Sequence, residues 1–108
     1  MDEQVFKKNA DEALGLLKRA LISAADDYGF DVDDNAGALT IEFEEPPAKF
    51  VVSPNTPVRQ IWVSALSKSY KLDWDEVEHS FIHEESGETL KQLIETVIGK
   101  KVGEEINL

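Results

Sequence analysis

The sequence predicts an α+β fold, a two-layer α-β sandwich in which an N-terminal and a C-terminal helix pack on one face of a largely antiparallel sheet. Three observations carry this. Apolar residues recur at helical spacing up to about residue 28, the period switches to two from about residue 31, and helical spacing returns from Leu90 to Ile98. No internal repeat, low-complexity tract or linker interrupts the chain, so residues 1–108 read as one domain. At 108 residues a single core buries roughly two-thirds of the unfolded chain's surface, so neither a disulfide nor a structural metal is needed for folding.

Residues 3–27 read as the first helix because Phe6, Ala10, Ala13, Leu14, Leu17, Leu21, Ala24, Ala25 and Tyr28 fall on one arc. Gly29 ends it. The opposite side is mixed in sign, with Lys8, Asp11, Glu12, Lys18, Arg19 and Asp26, and Glu3 with Lys7 forms a favourable i,i+4 pair. A short acidic strand around Phe30–Asp34 pairs through an Asn35-Ala36-Gly37 turn with a strand in which Leu39, Ile41 and Phe43 alternate with Thr40, Glu42 and Glu44. Pro46-Pro47 breaks the chain before a strand at Lys49–Ser53, and residues 54–57 form a rigid loop leading into a strand at Arg59–Ser64. Two further strands follow at Tyr70–Trp74 and Ser80–His83, separated by an acidic turn. Ser86-Gly87-Glu88-Thr89 is the start signal of the last helix, and Gly99 and Gly103 mark where it frays or ends.

The charge balance narrows the function. Against 11 basic residues stand 22 acidic ones, a formal net charge of −11, and residues 1–45 alone carry −8. A field of this sign repels phosphate backbones, which argues against nucleic acid and leaves cations and basic protein surfaces as partners. The absence of cysteine excludes a disulfide framework, a thiolate zinc site, a cysteine nucleophile and a cysteine-held iron–sulfur cluster. Apolar runs fall far short of the roughly 18 residues of a membrane span, and Met1-Asp2-Glu3-Gln4 lacks a basic signal start. The expectation is a cytoplasmic protein without membrane contact.

Two features hold candidate chemistry. A strand that buries Ile61 and Val63 points Gln60, Trp62 and Ser64 to the other face, where a large aromatic flanked by polar residues is an anchor for a protein partner or is covered by its own neighbours. Asp26, Asp27, Asp31, Asp33 and Asp34 run from the end of the first helix into the first strand, and their oxygens suit Mg²⁺, Ca²⁺, Mn²⁺ or iron. An open site of this kind binds at about 10⁻⁵ to 10⁻³ M. The spacing is not that of an EF-hand, and such acidic runs are also ordinary solvated loops. His79 and His83 read as surface or cross-strand residues, and the side chains offer no recognisable catalytic set.

Asn55-Thr56-Pro57 followed by Gln60-Ile61-Trp62-Val63-Ser64 resembles the central motif of the frataxin family, bacterial members included. Asp31-Val32 and Gly37-Ala38-Leu39-Thr40-Ile41 upstream, and Tyr70, Leu72-Asp73-Trp74 and Ser86-Gly87-Glu88-Thr89-Leu90 downstream, extend the resemblance over nearly the whole chain. It implies the sandwich already inferred and an iron-binding protein of iron–sulfur cluster assembly. In that role the protein delivers iron to, or regulates, the complex of cysteine desulfurase and iron–sulfur scaffold protein. Carried over by position, an acidic ridge of Asp26, Asp27, Asp31 and Asp33, extended by Asp11 and Glu12, holds Fe²⁺ or Fe³⁺ weakly and reversibly, with no organic cofactor. Asn55, Gln60 and Trp62 make the partner contacts. The resemblance further implies a monomer that oligomerises with iron.

One departure stands out, because the middle of the first helix, where bacterial members tend to have paired acids, has Lys18-Arg19. These cations interrupt the ridge and lower its iron affinity or stoichiometry. A second reading is a metal-independent acidic module that docks on a basic partner surface. Ferroxidase activity is ascribed to the family, but efficient iron oxidation calls for a preorganised site with supporting second ligands, so the chain reads as a non-enzyme.

Overall fold

The computed structural model describes residues 1–108 and places two helices on one face of a single seven-stranded sheet. Helix α1 (Glu3–Tyr28) starts at Asp2, whose carboxylate accepts a 2.8 Å hydrogen bond from the Val5 amide, and stops at Gly29, which takes the left-handed conformation (φ 72°). Its stripe Phe6, Ala10, Leu14, Leu17, Leu21 and Ala24 is buried, as the periodicity requires. Helix α2 (Leu90–Val102) buries Leu90, Leu93, Ile94, Val97 and Ile98 beside it.

Strands β1 (Phe30–Asn35), β2 (Ala38–Glu44), β3 (Pro47–Asn55), β4 (Gln60–Ala65), β5 (Lys68–Asp75), β6 (Ser80–His83) and β7 (Glu88–Thr89) lie in the sheet in chain order. Every neighbouring pair is antiparallel. The helix-facing rows Leu39, Ile41, Phe43, Phe50, Val52, Ile61, Val63, Leu72 and Phe81 are buried under α1 and α2. Phe6 meets Phe81 edge-on at 5.8 Å, fixing the start of α1 over β6.

Three local readings change. Pro54 continues β3 instead of opening a loop, because β2 pairs with β3 only as far as Val52. Beyond that point β3 has no neighbour on the β2 side, so the missing amide hydrogen costs nothing. The rigid loop shrinks to a single 3₁₀ turn, Thr56–Val58. Glu88-Thr89, expected to open the last helix, first pairs with β6, after Gly87 turns the chain back at φ 75°. Thr89 then caps α2: its hydroxyl accepts from the Gln92 amide while Gln92 Oε1 accepts from the Thr89 amide, a reciprocal capping box. No helix is long and apolar enough to cross a membrane.

Candidate functional site

The helices leave the second face of the sheet uncovered, and the register fixes what it displays. Cross-strand rows run Asn55–Gln60–Asp73–Ile82 and Ser53–Trp62–Lys71 over the middle of the sheet, and Asp31–Glu42–Lys49 toward its β1 edge. Asn55, Gln60 and Trp62 are therefore brought together, with Asn55 directly opposite Gln60. Asn55 precedes the 3₁₀ turn without spending its side chain on a cap.

Trp62 is 36% exposed and its ring is held from two sides. Its indole nitrogen donates a 2.9 Å hydrogen bond to Gln60 Oε1, and Gln60 Nε2 donates in turn to Asp73 Oδ1 at 3.1 Å. Lys71 Nζ lies 4.9 Å from the ring centroid, a cation–π contact. An exposed aromatic whose orientation is already fixed loses little freedom on binding, which is the property of an interface anchor. Lys71, and the contact of Asp73 with Gln60, escape a sequence reading because the β4–β5 register that aligns them depends on a two-residue turn. That turn, Leu66-Ser67, has both residues at positive φ (54° and 62°) without glycine or asparagine.

The acidic residues are distributed differently. By strand alternation Asp31 and Asp33 face the open side, with Asp31 opposite Glu42, whereas Asp34 shares the helix side with Phe30 and Val32. Helical geometry sets Asp11 and Lys18 on the flank of α1 toward β1 and Asp26 on its solvent side. Asp27 falls on the opposite flank. Glu12 lines a groove of about 520 Å³ on that other side, together with Leu16, Trp74, His79, Phe81 and Leu90. The Asp26-to-Asp34 cluster thus points in several directions, and no group of three or more His, Cys, Asp and Glu side chains converges in a geometry that could hold a metal ion. The sheet edge gains from the arrangement independently, because charged side chains on β1 discourage pairing with another chain.

Lys18 reaches from α1 to the edge strand, its Nζ lying 3.4 Å from Asp34 Oδ2. The two histidines are engaged with aromatic rings: His79 packs on Trp74 at 5.5 Å, and His83 on Tyr70 at 5.3 Å with its Nδ1 2.8 Å from the Ser86 hydroxyl.

Comparison with known proteins agrees with this architecture. A frataxin from Psychromonas ingrahamii superposes with a TM-score of 0.84 over 99% of this chain and 97% of its own, at 22% identity. The iron-sulfur cluster assembly protein CyaY of Pseudomonas putida strain GB-1 is 32% identical over 92 residues, 83% of each chain. CyaY of Azotobacter vinelandii is 32% identical over 80 residues, 74% of this chain and 72% of its own. The family model described as a frataxin-like domain matches residues 1–104. With the helices, the strand order and this match in agreement over the same residues, the chain belongs to the frataxin-like family.

Proposed function

We propose that this protein is a non-catalytic accessory factor of iron–sulfur cluster assembly that holds iron weakly along its acidic α1–β1 edge and docks, through Asn55, Gln60 and Trp62, on the cysteine desulfurase and scaffold complex. The relatives named iron-sulfur cluster assembly protein support the process. One observation carries the reading beyond the name: Trp62 and the carboxylates of Asp31, Asp33 and Glu42 share the uncovered sheet face. A single partner can therefore meet an acidic edge and an aromatic anchor in one approach, the first steering it and the second holding it. Iron is cargo in this scheme, and dispersed oxygen ligands suit a cation that must be released again.

An anaerobic Fe²⁺ titration followed by backbone amide NMR, with Mg²⁺ present to suppress diffuse binding, tests the iron half. The expected result is saturable broadening confined to the end of α1 and to β1, lost when Asp26, Asp27, Asp31 and Asp33 are replaced by Asn. Unchanged broadening in that variant defeats the assignment. The lack of any three converging carboxylates favours a second reading, a metal-independent docking module. On that reading Trp62→Ala and charge reversal at Asp31 and Asp33 weaken the complex equally with and without iron.

A further inference from the structure

We propose that the groove between α1 and the start of α2 is a second docking site, one that takes a short amphipathic segment of a basic protein partner, with apolar side chains on Leu16 and Trp74 and basic ones against Glu12, Glu76 and Glu78. The groove lies on the helical side of the sheet, away from Trp62, and the inference does not rest on the iron reading.

The groove exists because the two helices differ in length. At 1.5 Å per residue the 26 residues of α1 span about 39 Å and the 13 residues of α2 about 20 Å. Leu90, the first residue of α2, lines the groove together with Leu16 and Leu17 from the middle of α1, so the second helix begins only beside the middle of the first. The space left, about 520 Å³, falls within the roughly 300–1,000 Å³ of binding clefts, and buried Leu17, Phe81 and Leu90 give it an apolar lining. Its surroundings are set before anything binds. The Trp74 ring is held edge-on between His79 at 5.5 Å and Phe81 at 5.1 Å. Trp74 and His79 bracket the β5–β6 turn, in which Asp75 Oδ1 accepts the Val77 and Glu78 amides at 2.9 Å each. That turn presents Val77 at 91% exposure, and Leu16 on the α1 wall is 63% exposed.

Charge selects the occupant. Glu12 on the groove wall and Glu76 and Glu78 in the adjoining turn are exposed, and the ion pairs within 4 Å, Lys7–Glu3 and Lys18–Asp34, involve none of them. These three acids face one lysine of the groove, Lys91, and the net charge of −11 adds a field of the same sign. An acidic segment is repelled on approach, and so is a second copy of this chain. A purely apolar segment leaves the three carboxylates to lose water without gaining a partner. Leucine-like residues at helical spacing, flanked by lysine or arginine, meet both demands, the mode in which an amphipathic helix lays its apolar face in a groove.

The test titrates the full chain with three probes: a short amphipathic peptide of leucine, lysine and alanine, a scramble of it without an apolar stripe, and a counterpart with glutamate in place of lysine. NMR reads the two sides of the molecule separately, because the Trp74 indole N–H reports on the groove and the Trp62 indole N–H on the open sheet face. The expected result is saturable shifts of the Trp74 indole and of the Leu16 and His79 amides, with the Trp62 indole unmoved, for the first peptide alone. Leu16→Asn weakens that binding about tenfold and Val77→Ser about threefold, and both variants melt with wild type because both side chains are exposed. The triple variant Glu12→Gln/Glu76→Gln/Glu78→Gln weakens it about fivefold at low salt and little at high salt. Shifts along the α1–β1 edge with Trp74 still, or equal binding of the scramble, show attraction by net charge alone and overturn the proposal. No saturable binding, or affinity that Leu16→Asn and Val77→Ser both leave unchanged, overturns it as well. Equal or tighter binding of the glutamate peptide overturns the basic partner, and Trp74 shifts that follow protein concentration without peptide assign the groove to a second copy instead.

Discussion

The centre of the open sheet face and the α1–β1 edge are built on opposite principles. At the centre, Asp73, Gln60, Trp62 and Lys71 form a chain of contacts in which each side chain fixes the next. At the edge, like charges stand opposite one another at Asp31 and Glu42, with Lys49 opposite Glu42 on the next strand, and the ion pair within 4 Å is the exposed Lys18–Asp34 pair. The first arrangement is set before any partner arrives and acts at van der Waals range. The second acts through its field, falls off within about 8 Å at physiological salt, and adapts to what approaches. A molecule with both can separate attraction from recognition.

The contrast can be broken most severely at Trp62. Trp62→Ala is expected to weaken binding to the desulfurase and scaffold complex by about 2 kcal/mol or more, roughly thirtyfold, as read by calorimetry, with the melting temperature nearly unchanged because the ring lies outside the core. Charge reversal at Asp31 and Asp33 should act on encounter instead. Stopped-flow association is expected to slow about tenfold at low salt and to match wild type at about 0.5 M salt; slowing that persists at high salt would show that the edge makes close contacts.

Smaller changes sharpen the comparison. Asp73→Ala removes the acceptor that orients Gln60 and so loosens Trp62 without touching it; a loss of about 1 kcal/mol in affinity is expected, visible also as a change in tryptophan fluorescence anisotropy. Asp31→Asn relieves the opposition to Glu42 and should raise stability by about 0.3–0.5 kcal/mol in urea unfolding, whereas the central residues gain nothing from neutralisation. A destabilised Asp31→Asn protein would mean that the edge acids serve the fold.

Much of this was readable in the sequence because local periodicity dictates it. The apolar arc of α1, the alternation at Leu39–Phe43 and the outward side of Trp62 all follow from backbone geometry alone. What escaped depends on which strand lies beside which residue. Pro54 remains in a strand because its neighbour on one side has ended, and Glu88-Thr89 pairs because Gly87 returns the chain to β6. The acidic cluster illustrates the same limit. Adjacent numbers suggested one patch, yet Asp34 turns to the helix, Asp31 and Asp33 to the open face, and Glu12 into the groove beside Trp74. Lys71 carries no motif and acquires meaning only opposite Trp62, and Asp73, although part of the Leu72-Asp73-Trp74 resemblance, shows its contact role only opposite Gln60.

The sheet's strand order, identical to the chain order, has a consequence for how the molecule assembles. Each strand closes onto the one just made, through turns as short as Ala36-Gly37 and Leu66-Ser67, so the sheet zips with small loop-closure cost and low contact order. The costly closure is the one that brings Phe6 against Phe81, joining the first helix to the sixth strand. Trp62 and its neighbours belong wholly to the inexpensive part. The open face is thus set by pairings between adjacent strands, while the opposite, helical side is sealed by a contact between residues far apart in the chain.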